Sequence, residues 1–187
     1  MRSSIRLLEI GIMGILVSRF CIPGLGQDSA RVEIRTGDVR SFGATGNGVQ
    51  DDTEAIQAAV DSKIGLIRLS KGTYRISRTI AVDLDSIGFT SIRGDGVAVI
   101  LMEGPGPAFL FKGTHHKSAD PSGFSQDVWG RQRMPIVDGI AIHGAHKDAI
   151  GIEARGTMQL TVTRSHFRNL RHGIYLTGNN RNVIISD

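Results

Sequence analysis

The chain has 187 residues, with 22 Lys and Arg against 18 Asp and Glu for a formal charge of +4, and it carries 24 glycines, 5 prolines and 1 cysteine. That length suits one domain with a sizeable core, while glycine well above the usual ~7% asks for many short strands and frequent turns. A lone cysteine excludes an internal disulfide framework, and so small an excess of positive charge gives no electrostatic ground for a nucleic-acid partner.

At the start of the chain, Arg2 and Arg6 precede an apolar run from Ile10 to Val17, and small residues lie ahead of Gln27. This is the pattern of an export signal, too short to span a bilayer. Residues 1–26 are therefore expected to be removed, leaving 27–187 as the mature domain. Cleavage would take three arginines and one glutamate with it, leaving a charge of +2 and no thiol, since Cys21 departs too. Cys21 lacks the preceding small residues of a lipidation site, so the expected location is secreted, periplasmic or cell-surface.

The mature chain opens with near alternation of apolar and polar residues, which places Val32, Ile34, Val39 and Phe42 as buried positions of short strands. "TGNGV" reads as a turn. In "DDTEAIQAAVDS", an acidic N-cap pattern with Glu54 three residues after Asp51 is followed by Ile56, Ala59 and Val60 at helical spacing. Asp51, Asp52 and Thr53 are thus read as the cap of a short helix, with their carboxylates at the positive end of its dipole. A metal or acid-base role for the two aspartates is the competing reading, and no other ligand type lies within a few residues.

Strands are expected at Leu66–Leu69 and Tyr74–Val82, joined by the "SKGT" turn. The residues from Val39 to Ser77 resemble the N-terminal segment of the pectate-lyase-like superfamily, in its rhamnogalacturonase and epimerase-like branch of right-handed parallel β-helix proteins. The resemblance rests on F-G-A, G-N-G, D-D-T and G-T-Y, all kept here, with Ser70 and Lys71 where a proline-containing turn is common. It implies that this segment is a lid on the end of the helix and lies away from the catalytic coils.

Farther on, the pattern repeats without repeating letters. "GIAIHG", "QLTVTRSHF" and "NVIISD" align on Ile140, Leu160 and Val183 at spacings of 20 and 23 residues, and Ile150 aligns with Ile174 at a spacing of 24. Glycine-cornered repeats of this length are what a β-solenoid needs, because a single coil cannot bury its own apolar face. The expected fold is all-β, a right-handed parallel β-helix with a short N-terminal capping helix, incomplete at the C-terminus because the chain stops inside a strand-like run.

In this register Arg164 lies over Asp187. "RSHFRNLRHGIY" gathers Arg164, His166, Arg168, Arg171 and His172 at one coil corner, either as surface charge or as cations facing an acidic sugar polymer. His143, His146 and Asp148 have a loose metal-like spacing without a convincing further ligand, so no metal site is assigned. Residues 113–135 are too long for a plain connection and hold the single tryptophan. Trp129, Arg131 and Arg133 are read there as either a sugar-stacking and carboxylate-pairing group or a mobile insertion.

The resemblance implies carbohydrate chemistry on acidic polysaccharide by elimination or hydrolysis, with calcium as the cation the family would bring. The N-T-D, G-H-G and R-I-K patterns of the hydrolases are missing after Ile80, and Asp138, Asp148, Glu153 and Asp187 are scattered in the proposed register. Two functions stay open. One is a carbohydrate-active enzyme whose catalytic coils lie beyond this chain; the other is a noncatalytic β-helix that binds polysaccharide or attaches to a surface. A second chain or an oligomer completing the open last coil is an expected partner.

Overall fold

A computed structural model describes residues 35–117 and 119–187. The expected signal segment 1–26, Cys21, Val32 and Ile34 lie outside the described residues. No described helix is long and apolar enough to cross a membrane.

The first strand, β1 (Arg35–Asp38), gives way to a 3-10 turn at Val39–Phe42, where a strand had been expected. The Asp38 carboxylate accepts from Arg40 N and Gly43 closes the turn at φ 100°, so local capping overrides the alternating pattern while Val39 still buries fully. The "TGNGV" segment contributes to a strand, β2 (Asn47–Asp51), twisted by Gly48 at φ 75° and pinned by Asn47 Oδ1, which accepts from Val49 N and Gln50 N. Helix α1 (Thr53–Asp61) buries Ile56, Ala59 and Val60 as their spacing dictates.

Next come β3 (Gly65–Arg68), β4 (Gly72–Ile76) and β5 (Ile80–Asp83). The single strand expected over Tyr74–Val82 is therefore two, because the chain turns at Ser77–Thr79 into a different sheet. The turn is tight. A Cβ on Gly104, in the following round, would stand 2.1 Å from Ser77 O. A one-turn helix α2 (Leu84–Ile87) then leads into β6 (Ser91–Met102), β7 (Gly106–Lys112), β8 (Ile136–Gly144), β9 (Ala149–Arg155), β10 (Thr161–Thr163), β11 (His166–Arg168), β12 (His172–Thr177) and β13 (Ile184–Ser186).

Among the described residues all strand pairings are parallel, in two sheets of nine and four strands. The larger sheet has two columns, since the two halves of β6 and of β8 pair different strands. The first column runs β1, β3, Ser91–Arg93, Ile136–Asp138, β10, β13. In the second are β2, β4, Ala98–Met102, Ile140–Gly144 and β11. The small sheet, β5-β7-β9-β12, is the third column. From β3 to β12 each round visits the three in turn and lays its strands on those of the round before, at roughly 4.8 Å, while in the first round α1 follows β2 in place of a third-column strand.

Period-two alternation sends one face of every strand inward. In the first column Ile67, Ile92, Val137, Val162 and Ile185 are partners in register. The second column stacks Tyr74, Ile100, Ile142 and Phe167, and the third stacks Ile80, Phe109, Ile152 and Ile174. Most of these are completely buried, each stabilising the fold by about 1.5–3 kcal/mol relative to exposure. Left-handed residues recur at the corners. Met134, Gln159 and Asn182 stand two residues ahead of first-column strands at φ 57°, 58° and 52°. Asp95, Gly139 and Arg164 follow that column at φ 52°, 65° and 48°.

The corners correct the expected register. Ile136–Asp138 pairs with Thr161–Thr163, and Ala141 faces His166, so Ile140 does not align with Leu160. The bend at Gly139 divides what the sequence presents as one strand. Ile174 pairs with Ile152 in place of Ile150, a slip of two residues that keeps every side chain on its face and so escapes a pattern argument. Val162 does pair with Ile185.

Candidate functional site

Residues 113–135 connect β7 to β8 through helical turns, including a π-helical turn at Val128–Gln132. Buried Gln132 ties this insertion down: its Oε1 accepts from Thr114 N at 2.9 Å, and its Nε2 donates to Asp85 Oδ1 at 3.0 Å and Asp127 Oδ2 at 3.1 Å. Arg131 is consumed in the same anchorage. It donates to Asp127 Oδ1 at 2.7 Å, to Asp85 Oδ1 at 3.0 Å and to Asp85 O at 2.8 Å, joining the insertion to α2.

Trp129 and Arg133 are brought together. The guanidinium lies 5.0 Å from the centre of the Trp129 ring and 5.8 Å from that of Phe89, within the range of a cation–π contact. Phe124 meets Trp129 edge to face at 5.8 Å, and the Arg181 guanidinium stands 4.1 Å from the Phe124 ring centre, so the next round supports the aromatic pair from behind. Trp129 remains 39% exposed, enough for part of its ring to meet a ligand.

The five basic residues of "RSHFRNLRHGIY" do not gather at one corner. Left-handed turns at Arg164 and Asn169 send them to different columns. Arg164 does not pair with Asp187; its side chain reaches back one round, with Nε 2.8 Å from Asp138 Oδ1 and a second contact to Oδ2. Asp138 is 4% exposed and also accepts from Thr163 Oγ1, with Arg93 Nε 3.3 Å away. Its carboxyl is held below the usual range by the hydrogen bond from Arg164, against a smaller opposing effect of burial, with further help from Thr163 and the charges of Arg164 and Arg93. Such a group stays ionised and is a poor general acid.

His166 and Arg168 stand on the second column beside Ala141 and His143, and the His166 and His143 rings meet edge-on at 5.7 Å. Burial lowers the His143 pKa, and the neighbouring charges of His166 and Arg168 lower it further. Arg171 approaches Asp148 at 3.7 Å, and His172 stacks on Tyr175 at 5.0 Å. His146 Nδ1 accepts from Asp148 N at 3.0 Å, apart from the His143–His166 pair. Among the described residues no group of three or more His, Cys, Asp or Glu can hold a metal ion. Calcium takes roughly six to eight oxygen ligands, and the two buried outward carboxylates, Asp138 and Glu153, are each bound by arginine, so the residues present do not fit that ion.

The presumed cap residues divide their work. Asp52 occupies the N-cap position of α1, yet its carboxylate makes no bond to the helix and instead accepts from Thr45 N at 2.7 Å and Gly46 N at 3.0 Å. Asp51 accepts from Thr53 N at 3.0 Å and from Ser77 Oγ at 2.6 Å, while Thr53 Oγ1 accepts from Ser77 N. Burial raises the Asp51 pKa, but the hydrogen bonds from Ser77 and Thr53 and the charge of Arg75 outweigh it and bring it to about 2. Glu54 does not close a capping box; it pairs with Arg78. The bonds to Ser77 and Arg78 tie this segment to the turn after β4, and the others are internal to it.

Sequence reasoning passed over Arg93 and Phe89, and took Glu153 only as one of four scattered acids. Glu153 is 5% exposed although it points outward from β9, and Arg155 covers it with Nε 2.6 Å from Oε1. Once Ile92 is placed over Val137, Arg93 must fall over Asp138, so the correct register was the missing signal.

Parallel strands stacked in columns, with charged ladders outside and aliphatic ladders inside, define a mostly-β protein of the parallel-sheet class. The chain belongs to the rhamnogalacturonase A/epimerase, pectate lyase-like family, whose match covers residues 37–134. It is 50% identical over 44 residues to the mannuronan C5-epimerases AlgE5 and AlgE2 of Azotobacter vinelandii, a match covering 21% of this chain and 4% of each epimerase. Among solved structures it is similar to ORF18 of Geobacillus virus E2, with a TM-score of 0.58 and 22% identity over 74% of this chain and 27% of that one, a likeness of fold.

Proposed function

We propose that this chain forms rounds of a right-handed parallel β-helix that engages an acidic polysaccharide at the surface of, or outside, the cell. Family membership over residues 37–134 carries the reading. Support comes from outward cations stacked beside aromatic rings, Arg133 with Trp129 and Phe89 above all. The export-like N-terminus is consistent with a polymer met outside the cytoplasm.

Whether the whole protein cleaves, epimerises or holds its polymer is decided by groups on its coils. On the described residues, holding is the better-supported role, because the buried outward carboxylates Asp138 and Glu153 are committed to arginines and glycosidic hydrolysis needs a carboxyl free to donate a proton. Elimination or hydrolysis would draw on further coils laid over Ile184 and Ile185, which are 55% and 57% exposed on the last round. Incubation with polygalacturonate, rhamnogalacturonan and alginate tests the proposal. Binding without products supports a holding role, new reducing ends reveal hydrolysis, and unsaturated uronate absorbance reveals elimination. No binding and no product on any of the three overturns it.

A further inference from the structure

Beside the first column lies a cleft of about 320 Å³ whose walls include Arg93, Arg133 and Met134, over a floor of half-buried Leu66, Phe89 and Ile136. Its size is at the lower end of ligand sites, right for one small ring. The floor arises from the register: Leu66, Ser91 and Ile136 are outward-facing partners on successive rounds, and they place two aliphatic side chains around a small hydroxyl. Phe89 and Met134 come from the corners before β6 and β8, and Met134 is 53% exposed at the edge.

Arginines gather at the edge of this apolar floor. Arg93 and Arg164 converge on the carboxylate of Asp138, which also lines the cleft. Arg133 has no carboxylate partner among the described residues and lies beside two aromatic rings. A guanidinium neighboured by aromatic rings and not by an acid keeps N–H donors for a ligand, and its fork matches a carboxylate in two-point fashion. A neutral apolar ligand would leave the arginines unanswered, and a bare inorganic anion would leave the floor uncovered.

We propose that this cleft is a subsite for one uronate unit, a pyranose ring whose C–H face lies on Leu66, Phe89 and Ile136 while its carboxylate is taken by Arg133 and Arg93. The assignment rests on the acidic-polysaccharide reading above and adds to it a place and an orientation. Asp138 does not repel the incoming carboxylate because its charge is already satisfied from two sides. Arg131, though close in sequence, takes no part, being bound to Asp127 and Asp85.

Calorimetric titration of the full chain with trigalacturonate, its methyl ester and acetate tests this. The acid form is expected to bind at least about tenfold more tightly than the ester, since a charge-assisted hydrogen bond contributes at that level. Arg133→Gln and Arg93→Gln should each weaken the acid about tenfold or more, leave the ester unchanged, and narrow the salt dependence. Acetate should bind far more weakly than the trimer. Equal affinity for acid and ester, or acetate binding as well as the trimer, overturns the proposal without any variant. Acid binding unaltered in both variants overturns the cleft alone, whereas failure of the wild type to bind the trimer or any acidic polymer removes the parent reading too.

Discussion

Replacing Asp138 by Asn keeps its volume and removes its charge from a position that is 4% exposed. The loss falls on a hydrogen-bonded contact to Arg164, an approach from Arg93 and a bond from Thr163. Hydrogen bonds to charged groups contribute about 1.5–3 kcal/mol, but the two guanidiniums remain 65% and 50% exposed, and exposed pairs contribute about 0–1 kcal/mol. Since the amide oxygen can still accept from Thr163 and one guanidinium, a cost of about 1–2 kcal/mol at neutral pH is expected. The sign with pH follows from linkage. The folded pKa lies below the unfolded value of about 3.9, so the stabilisation is fully present above that value and is lost as pH falls through the folded pKa. Urea midpoints followed by circular dichroism should therefore differ between wild type and Asp138→Asn by a constant amount from about pH 8 to 5, with the gap closing below about pH 4. No gap at neutral pH, or one that persists undiminished to about pH 2.5, would refute the assignment of Asp138 as a buried ionised clamp.

Asp51→Ala, which strips bonds to Thr53 and Ser77, should lower stability by about 1 kcal/mol while polysaccharide binding per folded molecule stays unchanged; a binding loss in a stable variant would move Asp51 into the site. Ile100→Ala, in the middle of the second column at 0% exposure, should cost about 3–4 kcal/mol by urea titration, against under about 1 kcal/mol for Ile184→Ala on the 55% exposed last round. Equal costs would contradict a stacked interior. Gly151→Ala should be among the most damaging small substitutions, because the new Cβ would stand 2.3 Å from Gly173 O on the next round; a thermal midpoint like that of wild type would show that the rounds can part there. Trp129→Ala should weaken oligosaccharide binding several-fold by removing one of the two rings that hold Arg133, and undiminished binding would remove Trp129 from the site.

Much of this architecture was legible in short alternations. The expected strands at Leu66–Leu69 and Gln159–Phe167 contain Ile67 and Val162 of the first column's inward face, and Ile56, Ala59 and Val60 mark that of the short helix. Register was not legible, because a slip of two residues costs an alternating pattern nothing. The site depends on register, so it was read less well than the fold. Arg164 belongs to Asp138 because Thr163 sits over it, a relation fixed by the bends at Gly139 and Arg164 and by nothing in local composition. Trp129 and Arg133 were found by their rarity and proximity, whereas Phe89, which completes the grip on Arg133, lies over forty residues away in an unremarkable stretch.

The charge pattern on the outer faces bears on what such a chain can do. Rounds stacked in register place outward acids near bases of the same or an adjacent round: Arg68 with Asp95, Arg75 with Glu103, Lys112 with Asp83, and Arg93 and Arg164 with Asp138. Every such pairing sets a carboxylate against a base, which suits the stacking of rounds, and at Asp138 it also works against proton donation. A base left over from the pairing is the more informative exception, and Arg133 is one because aromatic rings, not an acid, hold it. On an outer face organised in this way, proton-transferring groups would have to stand where the pairing is broken.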